Sequence, residues 1–284
     1  MTETLELAAG YRPGRTLPLR VEAVRQLLRR RTLVAFAVVL GLPVIVWAAF
    51  AIGGTPRGRD SGPTMMDVAT ASGVNFSLAV LFVSSGFLLT IPVALFFGDT
   101  IASEANWSSL RYLLAAPVPR ARLLGSKALV SLVFSAAAVL ALPTVALGVG
   151  TLAYGWGDLE LTTAGSLPPG TATGRLAIAA LYVFVGQLAV AGFAFWLSTL
   201  TDAPLGAVGG AVGVAILSNI LDAITALGSL RDVLPTHWQY AWIDALQPRL
   251  EWSGMLKGTS VSLSFAVVFF ALAFRGFRGK DIVS

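Results

Sequence analysis

The chain has no cysteine and a single histidine, His237. Disulfide scaffolds and thiolate metal sites are therefore excluded, and a histidine-rich metal centre has nothing to build from. Charge is scarce too: Asp, Glu, Lys and Arg make up 12% of the 284 residues, about half the roughly 25% of soluble domains. A phosphate-cradling loop is missing as well. Gly125-Ser126-Lys127 has the look of the end of a Walker A motif, but Arg120 stands where the earlier glycine is needed, five positions before Gly125. ATP hydrolysis by this chain alone is not expected. Nor is nucleophilic catalysis at Ser84-Ser85 inside an apolar run, because the one histidine lies in a distant aromatic segment. No catalytic, metal or cofactor residue is assigned.

What the chain has in abundance is apolar residues, 56% of the total, with a mean hydropathy of +0.77. That composition belongs to an integral membrane protein. A spanning helix needs about 20 mainly apolar residues to cross a hydrocarbon core of about 30 Å. Six runs qualify: Leu33 to Ile52, Phe76 to Phe97, Ala128 to Leu152, Leu176 to Leu200, Leu205 to Leu227 and Val261 to Phe274, the last extended through Gly258 to Ser260. The expected fold is an all-α membrane protein, with residues 33–274 as a six-span domain and 275–284 as a tail. The first run starts too late, and is too long, for a cleavable signal peptide.

Placing the N-terminus inside puts fourteen Lys and Arg residues in inner segments and six in outer ones. The positive-inside bias then makes both termini cytoplasmic, in a multi-pass protein of the cell inner (plasma) membrane. The basic residues flank apolar spans and do not cover a soluble face, so lipid headgroups explain them and nucleic acid does not. Within 1–32, a tail precedes "PLRVEAVRQLLRRR", where Val21, Val24, Leu27 and Leu28 recur at helical spacing. Such a helix lies in the interface, apolar face toward acyl chains and arginines toward phosphates.

In span five, Gly206/Gly210 and Gly209/Gly213 form two small-xxx-small ridges that admit a close helix contact, in this chain or a second copy. Pro43, Pro92 and Pro143 are expected to kink spans one, two and three. Polar residues at lipid depth must face a partner or a cavity, which makes Gln187, Asn219 and Asp222 candidates for a substrate path. Interhelical bonding for Gln187, and an interfacial cap for Asn219 and Asp222, are the plainer readings. On the outer side, Gly155 to Gly174 reads as loop. Residues 228–258 carry Trp238, Tyr240, Trp242 and Trp252, and read as a re-entrant or interfacial segment whose rings sit at headgroup level beside His237.

The largest inner connection, 98–127, holds Trp107, Leu110 and Leu114 at helical spacing, ended by Pro117 and Pro119, with Arg120, Arg122 and Lys127 leading into span three. A purely topogenic loop needs only positive charge. An apolar Trp, the acidic Glu104 and a rigid turn add up to a docking surface. Glu104, Ser108-Ser109, Leu110, the run from Leu113 through Pro117-Val118-Pro119-Arg120, and Gly125-Ser126-Lys127 resemble the cytoplasmic loop of type-2 ATP-binding-cassette (ABC) exporter permeases. The tail "FRGFRGKDIVS" is similar to that family's ending. One departure is Glu104-Ala105-Asn106-Trp107-Ser108-Ser109, where the family often has Glu-Arg-x-x-Gly-Thr.

The resemblance implies a permease subunit that moves an amphiphilic or apolar cargo, paired with a second permease subunit, homo- or heterodimeric. It also implies two copies of a separate ABC ATPase subunit, which bind ATP and Mg, while this chain binds no cofactor. A coupling helix between spans two and three would meet that ATPase. Glu104, Trp107, Leu110, Arg111, Leu114, Pro117 and Arg120 would form the contact, in which the apolar side chains are buried and Glu104 and Arg120 fix orientation. An ion-coupled secondary transporter using Asp222 or Gln187, and a non-transporting scaffold docking through the same loop, are the alternatives. Membrane lipids are partners in every case.

Overall fold

The computed structural model describes residues 18–54, 64–106, 119–162 and 165–278. Its helices are α1 (Leu19–Leu27), α2 (Arg30–Gly53), α3 (Gly73–Ser85), α4 (Thr90–Asn106), α5 (Arg120–Tyr154), α6 (Pro169–Gly186), α7 (Leu188–Leu200), α8 (Pro204–Asp222) and α9 (Ser253–Arg278). Local chemistry sets several of their ends. Ser72 caps α3 by accepting the Asn75 amide at 3.3 Å, and Pro169 and Pro204 open α6 and α8, where a missing N–H costs nothing. Gly54 and Gly155, at φ 73° and 84°, stop α2 and α5 in a left-handed conformation that side chains disfavour.

Five helical stretches are long and apolar enough to cross a membrane: α2, α5, the nearly continuous α6–α7, α8 and α9. The pair α3–α4 meets the same test only jointly, because it bends by 51°. The bend does not sit at Pro92, as the sequence suggests, but at 86–89 just before it. There the hydroxyls of Ser84 and Ser85 fold back onto the carbonyls of Val80 and Phe82, competing with the helix ladder. Pro92 follows in the first turn of α4, a position that tolerates proline. Pro43 and Pro143 lie inside helices that run on through them, and the Pro143 carbonyl accepts the Ser77 hydroxyl at 2.7 Å.

The core gathers around α3 and α4. α4 is packed among α5, α7 and α8, while α9 lies along α7 and α2 rests on α5 at the periphery. Gly98 sets the α4–α8 approach, since a Cβ there would lie 3.1 Å from the Val208 nitrogen. On α8 the buried small residues are Ala207, Ala211 and Ala215. Of the expected glycines, Gly210 packs against Leu197 within this chain, whereas Cβ atoms on Gly209 and Gly213 would meet open space and on Gly206 only ordinary contacts. Alanine is small enough for the job and stiffens the helix more than glycine does.

The outer connection read as loop contains a two-residue hairpin, β1 (Leu159–Glu160) paired antiparallel with β2 (Ser166–Leu167). Asn75 pins it by donating to the Glu160 carbonyl at 2.9 Å and accepting its amide at 3.0 Å. The aromatic outer segment forms 3₁₀ turns at Thr225–Val233 and Ala241–Leu246. Trp242 is fully buried there, a core residue and not a headgroup anchor, whereas Tyr240 and Trp252 remain exposed.

Candidate functional site

Three helices, α1, α4 and α5, meet at one end of the bundle. α5 is 35 residues long, roughly 52 Å at 1.5 Å per residue, so it outruns the hydrocarbon core. Its second turn carries Lys127, which is 1% exposed. The Lys127 ammonium bonds the Glu22 carboxylate of α1 at 2.8 Å and also the Glu104 carboxylate of α4. Arg25 approaches the same two acids at 3.6 and 3.7 Å. Lysine supplies three donors on one point charge, and here it serves as a clasp between both helices that flank 107–119 and the helix preceding α2.

A second ionic group adjoins it. Asp99 on α4 accepts from Arg29 at 2.8 Å and from Arg31 at 2.7 Å, and Arg29 also reaches the Ser103 hydroxyl at 3.2 Å. The expectation that these arginines lie among lipid phosphates is corrected for Arg29, which turns inward to a buried carboxylate, while Arg31, 52% exposed, shares that carboxylate from the edge. On the neighbouring side, Ser198 of α7 accepts the amides of Ile101 and Ala102 at 2.9 and 3.0 Å. The inner half of α4 is thus held from two directions.

α1 itself is built inside out. Its buried residues are Glu22 and Gln26, four apart on one face, while Val21, Val24, Leu27 and Leu28 are exposed. A polar face toward protein and an apolar face toward the surroundings suit a helix lying in an interface.

Of the expected docking residues, Trp107, Leu110, Arg111, Leu114 and Pro117 lie outside the described residues. Glu104 is corrected: α4 continues to Asn106, so the connection is shorter than 98–127, and Glu104 is completely buried in the clasp and not on a docking surface. A carboxylate that deep needs a cation, and Lys127 provides it. Arg120 is partly exposed at the first turn of α5 and donates to the Arg278 carbonyl at 2.8 Å, bringing the end of α9 beside the start of α5.

Gln187 occupies the junction of α6 and α7, opposite the α3–α4 bend. It accepts from the Thr90 hydroxyl at 3.2 Å and donates to the Ser85 carbonyl at 3.4 Å. The interhelical reading is the one its bonds fit: it serves the backbone that the bend leaves short of partners. The cleft it lines with Tyr182, Thr236 and Gln239 has a free volume of about 30 Å³, room for about one water. Ser84 and Ser85 are spent on backbone carbonyls, as above.

Asn219 and Asp222 do not share a path with Gln187. Asn219 accepts from Gln239 at 2.8 Å, and Asp222 pairs with Arg231 at 3.3 Å and with His237 Nδ1 at 2.5 Å. His237 Nε2 lies 3.3 Å from Asp232. Together with the Ser218–Thr236 hydroxyl pair at 2.7 Å, these contacts fasten 225–239 onto the end of α8. Asn219 and Asp222 thus cap the end of α8.

The sequence reasoning missed the inner clasp. A signal was present: Asp99 and Glu104 are the only acids in 98–127, both adjoin an apolar run, and each therefore needed a basic partner from elsewhere. Among the described residues no group of three or more His, Asp or Glu side chains is arranged to hold a metal ion.

A family model described as "Protein of unknown function (DUF2705)" matches residues 66–283. The match runs from the turn before α3 to the tail. No curated protein matches the sequence.

Proposed function

The chain belongs to the DUF2705 family of proteins of unknown function, and we propose that it is the membrane-spanning subunit of an ABC exporter. In this reading the bent pair α3–α4 counts as one of six spans, both termini face the cytoplasm of a cell with this subunit in its plasma membrane, and the connection 107–119 carries the coupling helix. A separate ATPase, present in two copies, docks there and supplies ATP and Mg chemistry. A second permease subunit completes the pathway, and the cargo is amphiphilic or apolar.

The observation that carries the proposal is the clasp of Glu22, Glu104 and Lys127. The helix entering the loop and the helix leaving it are joined to each other and to the interfacial helix by charges buried from water. A push delivered at 107–119 by an external engine would therefore move α1, α4 and α5 as one body, a rigid-body mode of switching that needs no chemistry on this chain. The loop resemblance and the inside-out α1 support the same reading. The polar residues that an ion-coupled transporter would use, Gln187 and Asp222, bond within the chain instead.

The test is docking. Leu110 and Leu114 are replaced together by Asp in the full chain, coexpressed with a candidate ABC ATPase that the wild-type chain retains, and the ATPase retained on the purified membrane subunit is measured. Loss of the ATPase with unchanged yield of the membrane subunit is expected. Retention at the wild-type level would overturn the docking assignment.

A further inference from the structure

Between α2 and α4 lies a groove of about 400 Å³, within the range of ligand pockets, roughly 300–1,000 Å³. Val34 and Val38 form one wall and Leu88, Ile91 and Leu95 the other. Its charged lining, among the described residues, is Arg30 and Arg31, both at one end. The Arg30 guanidinium has no ion-pair or hydrogen-bond partner among the described residues. Arg31 gives Nη1 to Asp99 and keeps further N–H donors of its fork free to act. Among the described residues, Arg29 and Arg31 share the single carboxylate of Asp99 beside Arg30, so this corner is basic.

The length of the groove matches a leaflet. From Arg30 to Val39 the wall of α2 climbs nine residues, about 14 Å, against about 15 Å for half a hydrocarbon core. An apolar trough one leaflet deep, with guanidinium groups at its mouth on the side where α1 lies, has the shape of an amphiphile: chain below, anion above. We infer that the α2–α4 groove binds an anionic glycerophospholipid from the leaflet that holds α1. An acyl chain lies along Val34, Val38 and Ile91, and the phosphate accepts from Arg30 and from the free edge of Arg31. Planar guanidinium pairs suit phosphate better than a lone ammonium would. A second copy of the chain is the poorer occupant, because an apolar helix seated here would leave Arg30 uncompensated at the contact. The inference stands apart from the exporter reading, and its test involves neither ATP nor transport.

The full chain is purified in detergent and mixed with phosphatidylglycerol or phosphatidylcholine of identical acyl chains, and retained lipid is counted by native mass spectrometry. Wild type is expected to prefer phosphatidylglycerol. Arg30→Gln should cut that preference about fivefold, the ~1 kcal/mol that one basic residue is worth at an anionic surface, while the melting temperature stays unchanged because Arg30 has no partner to lose. Val38→Trp, which fills the trough, should lower retention of both lipids. Equal retention of the two lipids by wild type would overturn the inference. So would an unaltered preference in Arg30→Gln, or a Val38→Trp protein that changes its oligomeric state while keeping its lipid, which would assign the groove to a second copy.

Discussion

Around Lys127 the central charges of one ionic set are buried, and around Asp222, at the other end of the bundle, a comparable set lies at the surface. Lys127 and Glu104 are 1% and 0% exposed in their side chains, whereas Arg231, Asp222, His237 and Asp232 range from 20% to 57%. The bonds of Lys127 and Asp99 join residues 105, 70 and 23 positions apart, and those of Asp222 only 9 and 15. One set ties together helices that enter the fold separately, while the other pins a local segment to the helix before it. Burial makes an ionic contact hard to break but dependent on every member, and exposure makes it weak and adjustable. The Lys127 set is thus suited to carrying force and the Asp222 set to holding a cover.

The largest effect that could break this contrast lies at the clasp. Lys127→Met leaves Glu22 and Glu104 buried with only the half-exposed Arg25 beside them, at 3.6 and 3.7 Å, and is expected to destabilise the protein by about 3 kcal/mol, read as a fall in thermal midpoint in detergent. Adding Glu22→Gln and Glu104→Gln to it should recover most of that loss, since a wholly neutral interior no longer holds a stranded charge. Failure of the triple variant to recover would mean that packing, not charge, holds α1. Asp99→Asn comes next, at about 2 kcal/mol for the charge-assisted bonds to Arg29 and Arg31, followed by protease cleavage near α1. Gln187→Leu should lose about 1 kcal/mol by leaving the Ser85 carbonyl short of a donor.

The Asp222 contacts give the smallest changes. Asp222→Asn is expected to shift stability by no more than about 1 kcal/mol. Salt sharpens the comparison: near 1 M, where the Debye length is about 3 Å, the Asp222 effect should vanish while the Lys127 effect persists. A Lys127 effect equally sensitive to salt would mean that water reaches the clasp. Smaller still is the turn at Asp67, whose carboxyl is held below its usual 3.8 by the amide and then the hydroxyl of Thr64. A depressed carboxyl steadies the fold above its unfolded pKa, so amide exchange at Thr64 should quicken only as acid protonates Asp67, below about pH 4.

Most of the helical frame was legible in the sequence because a run of about 20 apolar residues has few alternatives to crossing a membrane. The α3–α4 bend was half legible. Proline drew attention to Pro92, yet the ladder breaks where two serines capture carbonyls beside Gly86, and Pro92 only opens the next helix. The α8 contact was placed on glycines because they are the smallest residues, but alanines at 207, 211 and 215 met the partner helices. Burial of Trp242 escaped notice since an aromatic residue in an outer loop looks the same whether it anchors to headgroups or fills a core. The clasp was the hardest to see. Glu104 and Lys127 both stood in the loop pattern, but nothing in one sequence says that two charges 23 residues apart share a bond with a third on α1. Low charge density was the usable clue, since an acid beside a span must be neutralised by something.

The most direct test of the central claim, that α1, α4 and α5 form one body driven from the loop, is vanadate-sensitive ATP turnover of the purified complex with its coexpressed ATPase. Wild type should hydrolyse ATP in a vanadate-sensitive way that changes when amphiphilic cargo is added. The neutralised triple variant should keep the ATPase bound and hydrolysing but lose the response to cargo. A chain that copurifies with no ATPase, or a triple variant whose cargo response equals that of wild type, would contradict the account.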